Sequence, residues 1–339
     1  MSDKRLPTER GQSAAVLTTS SSNAVDASPA PDFQHVTVLR DAVTQAVATA
    51  AAGRETALVI DCTLGGGGHA EAILQAVPHA HVLGLDRDLS AIGAASARLA
   101  GFGPRFRAVH TPFGQLATVL RDLHIADATA IVADLGVSSH QFDTAERGFS
   151  LRHDGPLDMR MDTSTGLTLA ERLATVTVED LADVLYEYGD IRRSIGTARI
   201  VLQSVEEGAD TTAKLAQRLS ARLVRDRNVH PATLVFQALR IWVNSELDEL
   251  EALLRDAPGL LQEGGALAVI SFHSGEDRMV KQMMRAAAPK KYGAFMRGKP
   301  QAAGDEEVHD NPRARSARLR VLWRKREDAP MDVLDEDED

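Results

Sequence analysis

Residues 57–74 read ALVIDCTLGGGGHAEAIL: an apolar run ending in Asp61, then four glycines, Gly65 to Gly68, then a stretch of helical character. An apolar, branched run closed by a turn signal predicts a buried strand. The glycines accept positive φ and let the backbone approach a ligand closely, while the following helix offers unpaired N–H groups at its start. This order predicts a nucleotide-type pocket at the first strand-to-helix junction. Outward from it, strand-like runs at 81–85, 106–109 and 130–133 alternate with helix-like stretches. Such alternation predicts an α/β fold, a parallel sheet covered by helices on both faces.

The alternation stops between about residues 141 and 229, where the chain is charged and leans to helix, and resumes at 266–271, ALAVIS. A helical domain inserted into the open sheet accounts for the interruption. The expected organisation is a disordered lead-in over 1–32, a discontinuous sheet domain over 33–142 and 236–326, an insert over 143–235 and an acidic disordered tail over 327–339. Phe236, Leu239, Val243, Leu247, Leu250 and Leu254 recur at helical spacing and predict one helix with a single core-facing stripe. Farther on come a helix from about residue 276, led by a Ser274-x-x-Asp277 cap pattern, an irregular basic segment and a last strand over 317–323.

With 339 residues, 44% hydrophobic and 25% charged, the chain is long enough for about two domains and apolar enough to bury a sizeable core. No stretch has the roughly 18 uncharged apolar residues that span a bilayer, and MSDKRLPTER lacks the apolar core of a signal peptide. With the single cysteine, Cys62, this predicts a cytoplasmic location. The net charge of −10 argues against nucleic acid until it is divided: residues 327–339 hold eight acids and no base. Residues 278–326 carry fourteen Lys or Arg against four acids, and residues 192–240 nine against four. Two basic regions thus lie inside a nominally acidic chain, as phosphate binding requires. Arg313, Arg315, Arg318 and Arg320 are the candidate phosphate contacts.

Asp86 ends the second strand in GLDRD, about twenty residues after the glycines, where a carboxylate can accept hydrogen bonds from both ribose hydroxyls. Gly65, Gly67 and Ala70 also fit a loose G-x-G-x-x-A, so these residues alone leave a dinucleotide open. After the fourth strand, residues 134–162 read DLGVSSHQFDTAERGFSLRHDGPLDMRMD, a long polar stretch where open α/β sheets bind ligands. Asp134 opens it and is the candidate catalytic residue; His273, at the end of the fifth strand, is the second. The histidines show no metal-ligand spacing, so no catalytic metal is expected.

The chain resembles the bacterial 16S ribosomal RNA cytosine-N4 methyltransferases of the MraW (RsmH) family. The resemblance rests on HVTVL (35–39), DCTLGGGGHA (61–70), GLDRD (84–88), DLGVSSHQFDTAERGFS (134–150) and DGPLDMRMD (154–162). It continues through HPATLVFQALRIWVNSEL (230–247), AVISFHSGEDRMVK (268–281) and NPRARSARLRV (311–321). Gly275 departs from the leucine more usual there, and neither the lead-in nor the acidic tail belongs to the shared pattern. The resemblance implies a class I S-adenosylmethionine-dependent methyltransferase sheet, Rossmann-like, with an inserted helical domain that helps grip RNA. It implies methylation of the N4 amine of a cytosine in the decoding region of 16S rRNA, as naked RNA or within a small-subunit particle. No membrane is involved, and the enzyme would be a monomer or homodimer.

Carried over by motif, Gly67, Gly68 and His69 would lie against the methionine part of S-adenosylmethionine, Asp86 would hold the ribose, Phe113 would pack on the adenine, and Asp134 and Gln141 would complete the pocket. Methyl transfer to an exocyclic amine needs no cysteine nucleophile, so Cys62 reads as a small buried residue. Where many such enzymes have Asp/Asn-Pro-Pro-aromatic, this chain has Asp134-Leu135-Gly136-Val137; Phe142 or Phe149 is the candidate platform for the base.

Overall fold

The computed structural model describes residues 37–151, 153–223, 230, 232–288 and 295–326; the predicted lead-in and acidic tail lie outside them. Strands β1 (Ala57–Asp61), β2 (Ala80–Asp86), β3 (Phe106–His110), β4 (Ala128–Asp134) and β5 (Leu261–Ser271) are parallel. Two short strands, β6 (Phe295–Arg297) and β7 (Gln301–Ala302), pair with β8 (Arg318–Arg324), which lies antiparallel beside β5. The order is β3-β2-β1-β4-β5-β8-β6, with β7 also on β8. The segment before β8, expected to be irregular, therefore contributes to the sheet edge.

A sheet covered on both faces needs apolar side chains on both, and they alternate as the pleat dictates. Val59, Ala268 and Ile270 face one core; Ile60, Leu267 and Val269 face the other. The first core is closed by α1 (Arg40–Ala51), α2 (Gly68–Ala76) and α3 (Leu89–Leu99), through Val47, Ile73 and Leu99. The second begins with α4 (Leu116–Asp122). Between β4 and β5 run α5 (Ser139–Asp143), α6 (Leu169–Leu173), α7 (Val178–Gly189), α8 (Ser194–Glu206), α9 (Thr212–Arg222), α10 (Ala232–Asn244) and α11 (Glu246–Asp256). After β5 comes α12 (Ser274–Ala287), and α13 (Asp305–Asp310) precedes β8. Helices α6, α7 and α9 start at threonines, Thr168, Thr177 and Thr211, whose side chains accept the N–H three residues on.

Helices α6 to α10 pack on one another around a third core that includes Leu169, Leu181, Leu185, Val201 and Leu219. The predicted single stripe is corrected here. Ser245 adopts a left-handed conformation, φ 50°, and divides the expected helix into α10 and α11. Phe236, Leu239 and Val243 pack in the third core, whereas Leu247, Leu250 and Leu254 pack under the sheet. One run of helical periodicity therefore serves two cores. No described helix is long and apolar enough to cross a membrane.

Candidate active site

The strand order reverses between β1 and β4, and a crevice opens at the carboxyl ends of strands at such a point. There the chain forms a cleft of about 1120 Å³ whose floor is the ends of β1, β2 and β4. Its walls come from the glycine turn, Phe113, the segment after β4 and α10. Gly65, Gly66 and Gly68 line it, but Gly67 does not. Gly67 takes φ 80° as the N-cap of α2, and a Cβ there would come within 3.1 Å of Leu99 and 3.3 Å of Ala95 on α3. The missing side chain at Gly67 lets α2 and α3 approach.

His69 and Asp134 meet on the cleft floor. Asp134 is anchored by its N–H, which donates to Thr63 Oγ1 at 2.6 Å, and its Oδ2 lies 3.5 Å from His69 Nε2. Burial pushes the His69 imidazole down, but Asp134 and Asp61 more than offset it, and the ring titrates above its ordinary value. Burial also lifts the Asp61 carboxyl to about 6. Asp134 Oδ1, Asp61 Oδ2 and both His69 ring nitrogens are buried with no hydrogen-bond partner among the described residues. Buried polar atoms left without partners are costly, and here they cluster at and just beneath the His69 and Asp134 side chains that line the cleft. Cys62 is buried beside them, and burial and Asp61 push its thiol well up, against any role as a thiolate nucleophile.

Asp86 accepts the N–H of Gly65 at 2.7 Å through one oxygen and that of Asp88 at 2.8 Å through the other. Those bonds aim the carboxylate into the cleft beside Arg87, Pro112 and Phe113. Burial raises it to about 6 despite both donors. Gln141 also lines the cleft, but both ends of its amide are engaged: Oε1 accepts the Ser138 N–H at 3.0 Å, and Nε2 donates to Asp88 Oδ2 at 2.8 Å. It caps α5 and braces Asp88. The same Asp88 oxygen receives Arg147 Nη1 at 2.7 Å, and Arg147 also donates to the carbonyls of Arg160 and Met161. Asn244, at the end of α10, bonds the backbone of Met159 and Met161 and accepts Arg87 on its carbonyl. Asp88, Arg147 and Asn244 thus tie the helical lobe to the cofactor-side rim, and none was singled out from sequence.

Both candidate platforms line the cleft: Phe149 is largely buried in the third core, and Phe142 has the Arg313 guanidinium 5.4 Å from its ring centroid. Phe272, not anticipated, lines the opposite wall. His273, not Ser274, is the N-cap of α12: its ring accepts the Glu276 N–H at 3.4 Å, while Glu276 accepts the Phe272 N–H at 2.8 Å. His273 Nε2 also lies 3.0 Å from Glu276 Oε1, so the histidine has a structural task. Of the four arginines, Arg315 and Arg318 are exposed, and Arg313 is 3.2 Å from Asp143. Arg320 is held at 2.8 and 3.0 Å by both oxygens of Asp277, so its guanidinium is already engaged by a carboxylate. Among the described residues, no group of His, Cys, Asp and Glu side chains is arranged to hold a metal ion.

The MraW methylase family matches residues 32–325. The chain is 46% identical over 294 residues to the Ribosomal RNA small subunit methyltransferase H of Sorangium cellulosum, covering 86% of this chain and 91% of that protein. It is likewise 46% identical over 313 residues to the protein of the same name from Chromobacterium violaceum, covering 87% and 96%. A third relative of that name, from Magnetococcus marinus, is 44% identical over 310 residues, covering 85% and 98%. These matches take in the sheet, the cleft floor and the helical lobe together, and the chain belongs to the MraW methylase family.

Proposed function

We propose that the protein transfers a methyl group from S-adenosylmethionine to the N4 amine of a cytosine in the decoding region of 16S rRNA, in the cytoplasm and on an RNA held by the helical lobe and the basic C-terminal segment. The observation that carries this is the Asp134 carboxylate lining the cleft at the switch point, 3.5 Å from the buried His69 ring. The residues present suit the cofactor: Asp86 for the ribose, Phe113 for the adenine, and Gly68, His69 and Asp134 for the methionine end. When bound, S-adenosylmethionine supplies an electrophilic methyl on a sulfonium that is already a good leaving group.

The N4 lone pair is delocalised into the cytosine ring, so the protein must orient the amine and accept a hydrogen bond from it. The Asp134 carboxylate is the acceptor, with the His69 imidazole 3.5 Å from its Oδ2. As nitrogen gains its new bond it becomes acidic, and its proton passes to the same carboxylate. Methyl transfer from labelled cofactor to small-subunit RNA by the purified chain, with nucleoside mass spectrometry, tests the reading. N4-methylcytidine is expected; a different modified nucleoside, or none, overturns it.

Removing an acceptor of buried hydroxyls costs about 1 to 3 kcal/mol, so Asp86→Ala is expected to weaken S-adenosylmethionine binding by roughly 5- to 150-fold in calorimetry. Unchanged affinity would remove Asp86 from the ribose site. A pH effect follows, because the free Asp86 carboxyl, raised by burial, titrates at about 6. Its ionised form is the better acceptor, so affinity should be flat above that pH and fall as pH drops through it. An affinity that rises on acidification contradicts the assignment.

A further inference from the structure

Beside Phe272 and His273 the rim of the cleft opens into a second pocket of about 470 Å³, lined further by Ser274, Asp277, Arg278, Lys281, Ser316 and Arg318. The three basic side chains come from α12 and the start of β8. Asp277, the pocket's one acid, feels Arg318 as well as Arg320 and offsets at most one of the positive charges. Arg320 holds it by a bidentate hydrogen bond and keeps its carboxyl below the usual range. Neither Lys281 nor Arg318 forms a salt bridge with any described residue. Arg278 reaches only Asp190 across the lobes, at 3.9 Å with both side chains mostly exposed, a contact too solvated to hold it.

Three cations converging on a pocket whose one acid is already held by Arg320, with two hydroxyls and the start of a helix beside them, suit a phosphate group. The pocket shares Phe272, His273 and Ser316 with the cleft, so the two form one continuous concavity. A polynucleotide with one base on the cleft floor carries its backbone along that wall. We propose that this pocket binds a backbone phosphodiester of the RNA strand beside the target nucleotide, held by Arg278, Lys281 and Arg318. The proposal rests on the methyltransferase reading above. It moves the phosphate contacts away from Arg320 and onto α12, which the charge count alone did not single out.

The test uses the full chain and a single-stranded RNA carrying the target cytosine. The R278Q/K281Q/R318Q variant is compared with R107Q/R121Q/R285Q, which removes the same charge at exposed positions outside the pocket. The pocket variant is expected to bind RNA at least about tenfold more weakly and to flatten the log–log salt slope by about 0.7, the value for one phosphate on a single strand. The control should lose less than about threefold, and S-adenosylmethionine affinity should hold in both. An RNA with an uncharged methylphosphonate at the adjacent linkage should weaken wild-type binding equally and weaken the pocket variant no further. Equal losses in the two variants, or full additivity with the methylphosphonate, overturn the phosphate site while leaving the methyltransferase reading intact. A wild-type chain that methylates no RNA overturns that reading and the phosphate site with it.

Discussion

Replacing Asp134 by asparagine should slow single-turnover methylation by about 100-fold at saturating cofactor and RNA, roughly 2.7 kcal/mol of barrier. The substitution keeps the shape of the side chain and the backbone N–H bond to Thr63. It removes the negative charge from a carboxylate that lines the cleft and whose buried Oδ1 has no hydrogen-bond partner among the described residues. Charge-assisted hydrogen bonds contribute about twice what neutral ones do, and the carboxylate alone can take the proton that the amine must shed. The pH–rate profile is a second readout. Asp134 is among the groups that hold the His69 imidazole above its ordinary value, so the variant should shift that titration downward. If the deficit disappears once cofactor is saturating, Asp134 only holds the cofactor and the amine has another acceptor.

Arg147→Ala is expected to destabilise the fold by about 3 to 5 kcal/mol, the usual loss when one member of a buried ion pair is removed. Arg147 and Asp88 have side chains only 10% and 5% exposed, and the guanidinium also satisfies two backbone carbonyls of the helical lobe. Without it, Asp88 keeps only Gln141 and the Ser90 N–H against its buried charge. Adding Asp88→Asn should recover part of the loss by removing that charge, and urea unfolding of the two single variants and the double measures the coupling. Additive losses would mean the pair is not a unit. S-adenosylmethionine affinity should fall as well, because the Asp88 N–H orients Asp86.

The elements legible in the sequence were those set by local pattern. The stretches 57–60, 82–85, 130–133 and 266–270 are nearly continuous apolar runs because the sheet there is buried on both faces, and the strand-end carboxylates Asp61, Asp86 and Asp134 follow from where the first three stop. What escaped depends on partners distant in the chain. Arg147 reads as one more charge in a polar loop, since nothing nearby reveals the carboxylate 59 positions away. Gln141 was placed in the cleft, yet its amide is engaged by a cap and by Asp88. The α12 cap was assigned to Ser274 because serine is the commoner cap, whereas a histidine ring accepts the N–H here. The break at Ser245 has no signature either, because left-handed positions favour glycine and asparagine over serine.

That single left-handed residue also sets a phase relation. Helices α10 and α11 are joined through Ser245 alone, so the rotational setting of one about its axis fixes that of the other. One residue added or removed there would turn α11 by about 100°. Leu250 and Leu254 would then leave the sheet, or Phe236 and Leu239 would leave the third core. A change of length at the junction would therefore misplace one core or the other, and the reach from the helical lobe to the cleft floor is fixed by the covalent chain rather than adjusted by a tether.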